Sequence, residues 1–99
     1  MKTLAEVKQI LHDQKPYLAE RYGVTEIGVF GSYVREEQRP DSDLDILIEL
    51  EEPPRISLLD LVNLQNYLGD LLGVKVEVAI KKNLKPRLSP YILQEVVMV

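Results

Sequence analysis

The sequence predicts an α+β fold: a small mixed β-sheet with helices packed on one of its faces. Three observations predict it. Apolar residues switch between helical and alternating spacing in the order helix, strand, helix, strand, helix, strand, helix. Two strands pair an apolar face with a face bearing carboxylates, so one face of the sheet seeks a core and the other is left partly open for a ligand. The 99 residues carry no internal repeat, low-complexity tract or linker, which makes residues 1–99 a single domain.

Each element has its own signal. Leu4, Val7, Ile10 and Leu11 recur at helical spacing and open a helix over 4–21, in which Pro16 is expected to make a kink or start a second helical piece. Gly23 fits its C-terminal stop. Thr25 to Phe30 is short, apolar and β-branched, a strand ended by Gly31. Tyr33 to Glu37 is expected to form a short helix, and Gln38 to Asp41 a loop marked by Pro40. Along the second strand, Asp43 to Leu50, the residues Leu44, Ile46, Ile48 and Leu50 point one way; Asp43, Asp45, Leu47 and Glu49 point the other. After the Glu51-Glu52-Pro53-Pro54 loop, Ser57 reads as an N-cap with Asp60 completing an approximate capping box. That helix runs to Leu72 and stops at Gly73, with Leu58, Leu61, Val62, Leu68 and Leu72 expected in the core and part of the set available to a partner. Val74 to Ile80 alternates again, placing Lys75, Glu77 and Ala79 on one face. Lys81 to Arg87 is a basic connector, and Ser89-Pro90 reads as the N-cap and first turn of a last helix. Val96 to Val99 suits either the end of that helix or an edge strand.

Composition excludes several classes of function. Twelve Lys and Arg against sixteen Asp and Glu give a net charge of −4, which argues against coating nucleic acid. Without cysteine there is no disulfide framework, thiol nucleophile or Cys-based zinc site. No apolar run approaches the length of a membrane span, and the start, Met1 to Glu6, soon carries charge and lacks the apolar stretch of a secretory signal, so the expected location is the cytoplasm.

The chemistry is concentrated in Gly31-Ser32-Tyr33-Val34-Arg35 and, six residues later, Ser42-Asp43-Leu44-Asp45. A glycine where a strand turns lets backbone approach a ligand closely, and a helix starting there offers free N–H groups to a phosphate. The Ser32 hydroxyl adds a donor, and Arg35 is one turn further on. Asp43 and Asp45, two apart on a strand, share a face, and two close carboxylates suit Mg²⁺ or Mn²⁺ shared with a triphosphate. Glu77, if its register matches, adds a third carboxylate to a site for two metal ions or takes a proton from the acceptor.

These residues, at this spacing and followed by an apolar strand, resemble the nucleotidyltransferase motif of the DNA-polymerase-β-like fold, and the short chain resembles its minimal branch, the MNT proteins. The resemblance covers nearly the whole chain, including the Val76-Glu77-Val78 strand and the stretch from Leu84-Lys85-Pro86 to Glu95. It implies metal-binding, catalytic carboxylates at Asp43, Asp45 and Glu77, nucleotide binding by Gly31, Ser32, Arg35 and Ser42, Mg²⁺ as cofactor and ATP as substrate. MNT proteins are commonly antitoxins paired with HEPN-family ribonuclease toxins. The resemblance therefore implies transfer of AMP to a tyrosine hydroxyl of such a toxin in a stable complex, with no direct contact to nucleic acid or membrane. The chain shows no extra domain to hold an acceptor, so a partner would present it. Three positions depart from the family pattern. The third carboxylate is usually aspartate and here is Glu77; alanine often precedes the arginine and glycine often follows it, where this chain has Val34 and Glu36. The departures motivate a second reading, an antitoxin that neutralises by stoichiometric binding. A third keeps the transfer but gives it to a small molecule such as an aminoglycoside.

Blander readings stand beside these. Arg35 is equally suited to pair with Glu36 or Glu37 on the surface. His12, the only histidine, lies far from the motif and reads as a surface residue. Lys81, Lys82, Lys85 and Arg87 read first as a solvated connector and second as a contact for phosphate or an acidic partner.

Overall fold

The computed structural model describes residues 2–99; Met1, the first residue of the start read above as lacking a leader, lies outside the described residues. Helix α1 spans Leu4–Tyr22. Thr3 caps it in a full capping box with Glu6, and Gly23 ends it in the left-handed conformation at φ +70°. The helix runs unbroken through Pro16, which does not split it. Val7 and Leu11 before the proline and Leu18 and Tyr22 after it are all buried in the same core, so tertiary packing keeps both halves in one continuous helix while the proline faces solvent.

Four strands follow: β1 (Val24–Phe30), β2 (Leu44–Leu50), β3 (Val76–Ile80) and β4 (Val97–Met98). Their order across the sheet is β3-β2-β1-β4. β1 pairs antiparallel with β2 and with β4, and β2 pairs parallel with β3, giving the expected mixed sheet. Helix α2 (Leu58–Leu72) makes the crossover between the parallel strands, with Ser57 and Asp60 forming its capping box and Gly73 its left-handed stop. It also finishes the outer edge of β3, where the Val78 N–H donates to Gln65 Oε1 at 2.8 Å. The last residues form the edge strand: β4 lies along β1, and the Val99 N–H continues the ladder to the Ile27 carbonyl at 2.9 Å.

The core lies between one face of the sheet and helices α1 and α2. Ile27, Val29, Leu44, Ile46, Ile48, Val76 and Val78 meet Val7, Leu11, Leu18, Leu64, Leu68 and Leu72. Two residues expected in that core are outside it, since Leu58 and Val62 are exposed. The sheet sees the stripe Leu61, Leu64, Leu68, Leu72, and Leu58 and Val62 lie outside that stripe. The opposite face of the sheet is not bare. Leu47 is buried there in a hollow lined by Leu93, Val96 and Met98, and Gly28 leaves room for Val96 and Met98, each of which would lie 2.8 Å from a Cβ at that position. His12 is exposed, as expected of a surface residue. No helix among the described residues is long and apolar enough to cross a membrane.

Two local expectations are corrected. Residues 33–37 form hydrogen-bonded turns and no helix, because Glu36 adopts a left-handed conformation (φ +58°) after a single turn. The last helix, α3 (Ser89–Glu95), begins one residue early. Leu88 holds the cap position, Ser89 and Pro90 occupy the first turn, and no side chain caps it. The basic connector contains one 3₁₀ turn, Lys81–Asn83, whose lysines lie near Glu49 and Glu52 at 3.7 and 3.2 Å and are solvated.

Candidate active site

The site forms where β1 ends beside β2. Antiparallel pairing sets Phe30 opposite Asp45, so the chain leaving β1 at Gly31 passes directly over the Asp45 carboxylate. Gly31 adopts φ +83°, and a Cβ there would collide with Asp45 Oδ2. The backbone conformation strains any side chain here, and a Cβ would push the Asp45 carboxylate aside. Tyr33, buried in the core, anchors the turn that follows. Within it the Gly31 carbonyl accepts from the Val34 and Arg35 N–H groups at 3.0 and 3.3 Å, and the Ser32 carbonyl accepts from Glu37 at 2.9 Å. Among the described residues no hydrogen bond uses the Ser32 hydroxyl or the Ser32 and Tyr33 amides, which leaves these donors available to an anion. The expected helix N-terminus is absent, so an anion here would meet single amides without a helix dipole behind them.

The carboxylates come from neighbouring strands. Parallel pairing puts Glu77 of β3 in register with Asp45 of β2, and Asp43 precedes Asp45 by two residues. The matching register expected of Glu77 is therefore met. Asp45 is half-buried, and desolvation, then the negative charges of Glu77 and Asp43, raise its carboxyl to about 6 against an ordinary 3.8. Arg35 opposes the shift and Glu95 adds to it. Asp43 has only a distant cation, Lys75 Nζ at 4.0 Å, and Glu77 is exposed. The donor set is all carboxylate oxygen with uncompensated charge, which fits a hard divalent cation. The side chains do not yet enclose one: among the described residues no three acidic or histidine side chains converge as a metal-holding group.

Two expected site residues are engaged elsewhere. Ser42 closes the loop before β2: its Oγ accepts from the Arg39 N–H at 2.8 Å, and its own N–H donates to the Arg39 carbonyl at 2.9 Å. Arg35 is held by two carboxylates, Glu37 through Nε at 2.9 Å and Glu95 through Nη1. Glu95 is the residue that sequence reasoning missed. Its Oε1 also accepts from the Gly31 N–H at 2.9 Å. No local signal marks it, since it lies 64 residues from Gly31 and arrives only because α3 leads into an edge strand beside β1.

Fold and site together set a glycine turn beside an acidic strand pair on a small mixed sheet. The chain belongs to the nucleotidyltransferase domain family, whose model matches residues 11–99, and within it to the minimal nucleotidyltransferases. A curated relative, protein adenylyltransferase MntA of Thermococcus cleftensis, is 50% identical over 99 residues, covering all of this chain and 98% of its own. A solved minimal nucleotidyltransferase is 39% identical with a TM-score of 0.71, over 94% of this chain and 88% of that one. The structure of a tri-AMPylated HEPN toxin of Shewanella oneidensis in complex with an MNT antitoxin is 17% identical with a TM-score of 0.61, over 95% of this chain and 66% of that one, and shares the fold.

Proposed function

We propose that this nucleotidyltransferase moves AMP from ATP onto a tyrosine hydroxyl of a HEPN-family ribonuclease toxin and thereby acts as its antitoxin. One observation carries the reading: Gly31 crosses within touching distance of Asp45 while Asp43 and Glu77 share that sheet face. A triphosphate laid along the glycine turn would present its phosphates to the acidic strands. The likeness to an adenylyltransferase at 50% identity and the fold shared with an MNT antitoxin bound to an AMPylated toxin support the choice of group and partner.

In this reading the free Ser32 and Tyr33 amides and the Ser32 hydroxyl grip the phosphates, with Arg35 once its carboxylate partners release it. Asp43, Asp45 and Glu77 would hold Mg²⁺, which supplies charge neutralisation around the α-phosphate. The toxin's hydroxyl oxygen forms the new bond to the α-phosphorus and the bond to pyrophosphate breaks. Glu77, the exposed member of the three, would also take the hydroxyl proton through its outer oxygen. Ser42 acts indirectly, fixing the loop that delivers Asp43 to the site.

The test is co-expression with a HEPN-family protein from the same genome, followed by that protein's intact mass. Wild type should add one or more adenylyl groups, and Asp43→Ala with Asp45→Ala should add none. The departures from the family pattern at Glu77, Val34 and Glu36 motivate one rival, neutralisation by binding alone. In that case the double variant would protect cells as well as wild type, with an unmodified toxin in both.

A further inference from the structure

We propose that Glu95 is a built-in anion that occupies two donors of the phosphate-binding turn, the Gly31 N–H and Arg35 Nη1, and must be displaced by the nucleotide, so that it restrains triphosphate binding. The inference rests on the nucleotide reading above and adds a regulatory residue to it.

Gly31 N–H and Arg35 Nη1 converge on a single oxygen, Glu95 Oε1. One backbone amide and one guanidinium from the same turn, both aimed at one anionic oxygen, form the kind of donor pair that receives a phosphate oxygen. The occupant comes from far along the chain, 64 residues from Gly31 and 60 from Arg35, so the contact is tertiary and is not incidental to the turn. It is also the inner partner of Arg35. The Glu95 side chain is 23% exposed and that of Glu37, the other partner, 65%. Glu95 has no electrostatic reason to lie here apart from those two donors. Its own charge is among those that raise the Asp45 carboxyl. A triphosphate brings more negative charge to the same donors, and its divalent cation relieves the repulsion that Glu95 endures.

The exchange needs little backbone motion. Glu95 ends α3, Val96 is extended, and β4 is tied to β1 immediately afterwards. Rotation of one half-buried side chain frees both donors, and the sheet edge holds the backbone in place.

Calorimetric titration of the full chain with AMP-PNP, in Mg²⁺ and separately in EDTA, tests this. Glu95→Gln keeps the size and removes the charge. Glu95→Asp keeps the charge but withdraws it by one methylene, and a thermal melt confirms that each variant is folded. Both variants are expected to bind AMP-PNP about fivefold more tightly than wild type with and without Mg²⁺, as expected from removing one competing ion pair at a partly exposed site; if one fails to fold, the other decides. Unchanged affinity overturns the proposal. Weaker binding in both buffers would make Glu95 a residue that positions Arg35, and weaker binding in Mg²⁺ alone would make it a metal ligand; either result also overturns it. Absence of binding by wild type and variants alike would remove the nucleotide reading and this proposal together. That outcome differs from wild-type binding that the substitutions leave unimproved.

Discussion

Asp45→Asn should stabilise the metal-free protein at neutral pH while abolishing transfer. The Asp45 carboxyl titrates at about 6 in the folded chain against an ordinary 3.8. An acid whose folded value is raised holds its proton to higher pH in the folded state, so stability falls as pH rises from about 4 through about 6 and the penalty is complete above that. At about 1.4 kcal/mol for each tenfold change, the full penalty is about 3 kcal/mol, and exposure of half the group to solvent cuts it to roughly 1 kcal/mol. No hydrogen bond among the described residues ends on the Asp45 carboxylate, so asparagine loses none. The variant should therefore melt about 4–8 °C above wild type at pH 7.5 in EDTA, and the gap should close near pH 4. Circular-dichroism melts across that range give the answer directly. Equal melting temperatures at pH 7.5, or a gap that persists unchanged at pH 4, would refute the view that unrelieved charge at the site costs stability.

Other substitutions separate chemistry from architecture. Gly31→Ala places a methyl group against Asp45 Oδ2 in a left-handed backbone and should cost about 1–3 kcal/mol with loss of transfer, read by urea unfolding and the toxin-mass assay. Gly73→Ala meets no atom within 4 Å, so its cost should be conformational alone, about 1 kcal/mol in the same unfolding assay, with transfer intact. Glu36→Gly relieves a left-handed residue that makes no ion pair among the described residues, and a gain of about 0.5 kcal/mol is expected in thermal melts.

The parts of the fold with local causes were legible in the sequence. Ser57 with Asp60, Gly23 and Gly73 mark helix ends through groups that act within one turn, and each is found doing so. The alternation at 43–50 and 74–80 set which carboxylates share a face, and the observed pairing of Asp45 with Glu77 follows once those strands are neighbours. Tertiary features were hidden. Pro16 reads as a break until Leu11 and Leu18 are known to bury against one sheet. Leu58 and Val62 look like core because helical spacing alone cannot say which edge of a broad apolar stripe meets the sheet. The short helix at 33–37 failed on one backbone conformation, that of Glu36, at the position where the family often carries glycine. The role of Glu95 was illegible for a different reason: neither its neighbours nor its spacing carries a trace of Gly31, and only the edge strand brings them together.

The central claim is that the Gly31 turn and the acidic strands transfer a nucleotidyl group, and the fate of the phosphates tests it most directly. Purified chain and purified toxin are incubated with Mg²⁺ and ATP labelled at either the α- or the γ-phosphorus, and label is counted on the toxin. The account predicts label on the toxin from α-labelled ATP only, with labelled pyrophosphate released from the γ-labelled sample. Label reaching the toxin from the γ-position would mean phosphoryl transfer and would contradict it.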